Sequence, residues 1–168
     1  MASDPIGRIE RAIQDVATAY KGLKRAGGYR FTLKMVSRHF RDPDDWQEGE
    51  VPGLIVYRPI GGGEDLRYLD SGAPGGYWST LLLWLLGYAR SGGESAPAEK
   101  TATLGEALLS DIRALQMRDP RFGSAVIADS TLVGPAQNDG GFFDAEGAVV
   151  VQPVRLSVLF DVAGNNLP

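Results

Sequence analysis

One histidine, no cysteine and a cluster of carboxylates bound the chemistry open to this chain. His39 stands alone, so a paired-histidine zinc site is excluded, and a Ser-His-Asp triad would have a single position for its base. No serine sits in a G-x-S-x-G elbow, and no G-x-x-x-x-G-K-[ST] phosphate loop occurs. The glycine runs at 61–63 and 140–141 lack the strand-glycine-helix context that makes a phosphate cradle. The absence of cysteine removes disulfides, thiol catalysis and thiolate metal ligation. The densest constellation is acidic: Asp42, Asp44, Asp45, Glu48 and Glu50 supply oxygens of the kind that hold calcium or magnesium. Pro43 and Trp46 interrupt that spacing, and the regular calcium-loop pattern is missing. A solvated loop, or one side of a protein contact, is the simpler reading. No residue is assigned a catalytic, cofactor-binding or metal-ligating role, and no cofactor is expected.

Apolar side chains placed where a core does not need them say more. Trp46, Tyr77, Trp78, Trp84, Phe142 and Phe143 all fall in or beside loops, or on a segment apolar on both faces. Aromatic residues are enriched at interface cores, and a contiguous exposed apolar patch marks a contact surface. These six are the candidate interface residues, and together they point to an assembly protein.

The elements that must carry them follow from periodicity. After Ser3-Asp4-Pro5, a helix start, Ile6, Ile9, Ile13, Val16, Tyr20 and Leu23 recur three or four apart, and Gly27-Gly28 ends the pattern. From Tyr29 the period is two: Tyr29, Phe31, Leu33 and Met35 alternate with Arg30, Thr32 and Lys34, which predicts a strand. Leu54–Tyr57 predicts a second. Residues 61–76 form a Gly-rich arm, either a flexible loop or a hairpin. The segment YWSTLLLWLLGYAR is helix-prone by propensity but short and bounded by Gly-rich stretches. It is read as a strand, with Trp78, Thr80, Leu82, Trp84, Leu86 and Tyr88 on one face, lying centrally or under a neighbouring subunit. A second helix carries Leu104, Leu108, Ile112 and Leu115, with Thr103 as its cap, and stops before Asp119-Pro120. Strands over 124–133 and 148–161 complete the chain, separated by a Gly-rich loop at 134–147. Pro153 lacks a ladder donor and predicts an edge or a bulge there.

The expected architecture is α+β: two helices packed on one face of a mostly antiparallel sheet of about five strands, in the order α-β-β-β-α-β-β. A length of 168 residues fits one domain, 1–168, large enough to need no staples. A formal charge of −4 lacks the basic excess of a nucleic-acid binder. The N-terminus has no apolar signal core, and the longest apolar run, Leu81–Leu86, is far below the roughly 20 residues that span a bilayer. No membrane association is expected, and the chain is expected to stay in the cytoplasm where it is made.

Two stretches then bring a family into view. The sequence LLSDIRALQMRDPRFGSAVIADSTLVGP, followed after a loop by GAVVVQPVRLSVLFDV, resembles the C-terminal half of phage tail terminator and tail-completion proteins. There, as at Asp119-Pro120-Arg121-Phe122-Gly123, a helix ends in a turn that leads to a strand, a variable loop and a final alternating strand. The N-terminal half is similar too: a helix, a strand, then Glu50-Val51-Pro52-Gly53-Leu54-Ile55 before a second strand. The resemblance implies a structural virion protein that forms a ring, usually of six copies, at the head-proximal end of the tail. Such a ring stops tail-tube polymerisation and joins the tail to the head. Implied partners are other copies of the chain, the tail tube protein and the head-tail connector, with DNA passing through the lumen unbound. Six chains would carry −24 in all, a sign that does not retain DNA. The arm at 61–76 and the loop at 134–147 become the expected tube or connector contacts. The alternatives are a tail tube or other neck or completion subunit of the same fold, a cytoplasmic binding module, and a metal-dependent enzyme using the acidic loop 42–50.

Overall fold

The computed structural model describes residues 5–42, 45–59, 65–68, 76–90, 98–140 and 147–161. In chain order these contain α1 (Pro5–Lys21), β1 (Met35–Ser37), β2 (Gly53–Tyr57), β3 (Asp65–Tyr68), β4 (Gly76–Arg90), α2 (Ala98–Arg118), β5 (Ile127–Leu132), β6 (Gln137–Gly140) and β7 (Gly147–Asp161). Two helices and a mixed seven-stranded sheet make an α+β fold in the expected order, with two short strands added. One addition, β3, lies in the Gly-rich arm and pairs antiparallel with β4, so the arm begins as a hairpin. The other, β6, lies in the 134–147 segment and pairs with β7.

The sheet is built on its two longest strands. β4 and β7 pair antiparallel along their whole length, from Gly76 opposite Asp161 to Arg90 opposite Gly147. β2 continues the sheet beyond β4, and β1 joins β2 in parallel at the edge. The Leu-rich segment is therefore a strand, as its alternation required. Its helix propensity of a few tenths of a kcal/mol per residue is outweighed by the burial of its helix-side face and of Leu86 and Tyr88 on the other. Leu81, Leu83, Leu85 and Ala89 turn toward the helices and are buried. Gly87 shares that face where α2 presses closest: a Cβ there would lie 2.8 Å from Val150 Cγ2 and 2.9 Å from Leu108 Cδ2.

Both helices cover this one face. Ile9, Ile13, Val16 and Tyr20 of α1 and Leu108, Ile112 and Leu115 of α2 share a single cluster with Leu54, Val56, Leu83, Val154 and Leu156 of the sheet. The fully buried Tyr20 hydroxyl donates to the Ile112 carbonyl at 3.0 Å, tying the helices together, and burial pushes its pKa far above the usual tyrosine value. α2 begins at Ala98, so Thr103, the expected cap, stands inside the helix. Ala, Glu and Lys ahead of it are strong helix formers and carry the helix upstream.

Two further expectations are corrected. Tyr29 to Lys34 alternate in burial as the sequence suggested, but the strand is confined to Met35–Ser37. The extended stretch before it bonds elsewhere: Phe31 N–H donates to Asp111 Oδ2 at 2.8 Å, Leu33 N–H to the Leu23 carbonyl at 3.1 Å, and Lys34 N–H to the Pro52 carbonyl at 2.8 Å. A period of two reports an extended chain with one side buried, and these partners replace a ladder. Pro153 sits in a central strand, paired with Trp84 on β4. On its other side the neighbour changes, β5 ending opposite Val154 and β6 beginning opposite Val151, so the missing donor falls in the gap.

The turn after α2 is locked by one side chain. Asp119 Oδ1 accepts from Arg121 N–H at 3.1 Å, and Oδ2 accepts from Gly123 N–H at 2.5 Å. Phe122 is thereby held at φ 53°, with its ring buried against Tyr20.

Candidate interaction face

The helices leave the opposite face of the sheet to be covered by something else. Period two places Ile55 and Tyr57 of β2, Leu82, Trp84, Leu86 and Tyr88 of β4, and Val149, Val151, Pro153 and Arg155 of β7 on this outer face. Coverage is uneven along it. At one end Ile55, Leu86, Tyr88 and Val149 are buried in a second apolar cluster. Toward the other end Leu82, Trp84 and Pro153 remain partly exposed, and Arg155 is exposed with no ion pair among the described residues.

An aromatic row crosses the boundary. Trp84 meets Tyr57 edge-on with ring centroids 5.8 Å apart, and Tyr57 meets Phe40 at 5.6 Å. Phe40 is 58% exposed. Apolar neighbours around the Tyr57 ring raise the pKa of its hydroxyl. Trp84 was expected at an interface and lies in this row. Phe40 and Tyr57 join it from outside the six candidates, and Tyr57 ends the β-prone Leu54–Tyr57 run and faces Trp84 in register.

Trp46 corrects the expectation. The sequence places it among the interface residues, but it is only 8% exposed and forms the plug of the covered end. Its ring lies over Gly53, where a Cβ would come within 2.3 Å of Cζ3, and packs edge-on against Tyr88 at 5.5 Å. Its indole Nε1 is buried with no hydrogen-bond partner among the described residues. The acidic loop is a latch for this plug. Glu50 Oε1 accepts from Arg41 Nη1 at 2.8 Å, and Arg41 Nη2 donates to the Asp45 carbonyl at 2.7 Å. Glu50 Oε2 accepts from Gln47 N–H at 2.9 Å, closing a capping box. The Arg41 hydrogen bond, helped by the Gln47 N–H, holds the Glu50 carboxyl below the usual carboxylate range. Glu50 is thus committed to the loop itself. Among the described residues no three Asp, Glu or His side chains stand together as a cation site. Asp44 lies outside the described residues.

The other expected interface positions are less informative. Tyr77 and Trp78 occupy β4 where it is flanked on both sides, opposite Tyr68 and Arg67 of β3 and opposite Phe160 and Leu159 of β7. Phe142 and Phe143 lie outside the described residues. His39 is exposed in a turn after β1, where its N–H donates to Ser37 Oγ at 3.1 Å. A groove of about 310 Å³ opens between α1 and the end of β2, with the Arg38–Glu10 ion pair in its lining. Among the described residues no helix is long and apolar enough to cross a membrane.

No protein-family model matches this chain, and no curated protein matches it. Among solved structures it is similar to a chain of a structure titled "Virion of native gene transfer agent (GTA) particle". The TM-score is 0.42 and the identity 10%, over 94% of this chain and 99% of that one. A likeness this loose carries no argument about what the chain does.

Proposed function

We propose that this chain is a structural subunit of a phage-type virion, acting by shape and apolar contact, with no bond made or broken. The observation that carries the reading is the half-covered outer face. A sheet with two helices on one side and, among the described residues, one loop on the other presents Trp84, Tyr57, Phe40, Leu82 and Pro153 as an apolar strip. Such a strip is what a subunit lays against its neighbours in an assembly. The finer reading follows the sequence resemblance: a ring of six copies seated on the finished tail tube, halting polymerisation and offering its far side to the head connector. The β3–β4 hairpin and the 134–147 loop are the segments proposed to reach tube and connector.

Negative-stain images of tail tubes incubated with the chain test this. The expected result is a cap at one end of each tube, growth halted, and a released ring near six times 18.0 kDa, about 108 kDa. Tubes that grow on uncapped in saturating chain overturn the reading. Alanine at Phe142 and Phe143 is expected to leave folding intact and abolish capping; a mutant tail of normal length removes those two residues from the contact.

A further inference from the structure

A formal charge of −4 averages over two unlike parts of the chain. The stretch 16–41 holds seven of the 17 Lys and Arg side chains and none of the 21 Asp and Glu. Arg38 and Arg41, at its end, are neutralised by Glu10 and Glu50. Lys21, Lys24, Arg25, Arg30 and Lys34 are all exposed and form no ion pair among the described residues. The fold brings a further exposed cation to them from the end of α2. Arg118 Nη1 donates to the Gly27 carbonyl at 2.8 Å, and its guanidinium lies 4.7 Å over the Tyr29 ring. Arg25 Nε donates to the Arg30 carbonyl at 2.7 Å. Arg25, Arg30 and Arg118 thus gather around one turn, with Lys24 beside Arg25 and Lys21 at the end of α1.

Folding does not call for this gathering. Lys21 and Arg118 close the last turns of the two helices, where a cation suits the helix dipole. Arg25 and Arg30 lie beyond both helices, and like charges held together repel. Two carboxylates of α2 and the turn after it stand by, each turned to the backbone. Asp111 is buried with Oδ2 on the Phe31 N–H, and Asp119 has its oxygens on the N–H groups of Arg121 and Gly123. Among the described residues the exposed large apolar side chains are Phe40 and Met117, neither of them in 16–34. A protein–protein interface has an apolar core poor in charge, whereas a nucleic-acid interface is polar and positive. Guanidinium forks also match phosphate oxygens. Tyr29 is half-buried beneath Arg118 and offers no platform for an unstacked base, which favours a duplex over a single strand.

We propose that this corner binds the phosphate backbone of a nucleic-acid duplex, without reading its sequence, through Lys21, Lys24, Arg25, Arg30 and Arg118. The inference goes beyond the structural-subunit reading and does not depend on it. About four phosphate contacts per copy predict a slope of about −3.6 for log K against log salt, so that binding weakens about 150-fold between 50 and 200 mM.

The test is fluorescence anisotropy of a dye-labelled DNA duplex of about two helical turns, titrated with the full chain over that salt range. Two unrelated sequences should bind alike. Lys21→Gln, Lys24→Gln and Arg30→Gln together remove three charges and no side-chain hydrogen bond among the described residues, so the triple variant should keep the wild-type circular dichroism and melting temperature. It should bind at least about tenfold more weakly at the low-salt end, with a slope of about −1 to −2. Arg11→Gln with Arg155→Gln removes two exposed cations elsewhere and should stay within about twofold of wild type. Polyglutamate at equal charge stands in for an acidic protein surface and should displace the duplex at least about tenfold less well than unlabelled DNA. A matched RNA duplex distinguishes the source: tighter binding to either one assigns that nucleic acid and supports a backbone site. No binding at low salt, a triple variant that binds as wild type does, a control that loses as much as the triple, or polyglutamate that competes as well as DNA overturns the proposal. Capping of tail tubes is read separately, so such a result leaves the structural reading untouched.

Discussion

Replacing Trp46 separates a residue that builds the fold from one that waits for a partner. A buried tryptophan removes about 200 Å² from water, which at about 25 cal/mol per Å² is worth about 5 kcal/mol as an upper bound. Against this stands the indole N–H, buried with no acceptor among the described residues, at a cost of about 1–2 kcal/mol. The difference predicts that Trp46→Ala destabilises the chain by about 3 kcal/mol. In a domain of this size, that lowers the melting temperature by about 6–12 °C. Trp46→Phe keeps a ring over Gly53 and against Tyr88 while deleting the orphan donor, so its cost is expected within about 1 kcal/mol of zero. Urea unfolding followed by far-UV circular dichroism measures both without relying on the fluorophore being changed. If Trp46→Ala unfolds within about 0.5 kcal/mol of wild type, the loop does not plug the sheet, and Trp46 returns to the interface set.

The same structure fixes three smaller outcomes. Gly87→Ala forces a Cβ against Val150 and Leu108 and should cost about 1–3 kcal/mol by urea titration; a neutral result would mean that α2 does not pack this closely on β4. Asp119→Ala frees the N–H groups of Arg121 and Gly123 and releases Phe122 from its left-handed conformation. A loss of about 1–2 kcal/mol is expected, less for Asp119→Asn, which keeps one acceptor. Glu50 has its carboxyl held below the ordinary value of 4.5, so its contribution is complete above that value and is lost as pH falls through the lower folded value. Acid titration of Trp46 emission, read against Trp46→Phe, should shift red in that range, whereas Glu50→Gln should be shifted already at neutral pH.

Much of the fold is readable from spacing, because burial on one side leaves a period and the period depends only on local geometry. The stripe of α1, the alternation of β4 and the stop of α2 before Asp119-Pro120 are all of this kind. What failed needed information from elsewhere in the chain. Tyr29 to Lys34 alternate because one side packs inward, and whether such a stretch is a strand depends on who accepts its N–H groups. Those acceptors, Asp111, Leu23 and Pro52, belong to three separate segments. β3 and β6 are four residues each, in Gly-rich surroundings, and exist because β4 and β7 extend beyond the other strands and offer an edge.

The interface set shows the same limit at the level of single residues. Trp46 and Trp84 are the same side chain on the same face of the sheet, and nothing in their local sequence tells them apart. Their difference lies in the latch. Arg41 and Glu50, nine residues apart, close the loop across Trp46, and Gly53 leaves the hollow that receives its ring. No second loop among the described residues folds over Trp84, so it is left at the boundary with Tyr57 and Phe40. Of the acidic residues that suggested a cation site, Glu50 holds the plug in place, and Asp42, Asp45 and Glu48 are exposed. A loop that covers one end of an apolar face determines which part of that face is left for a partner.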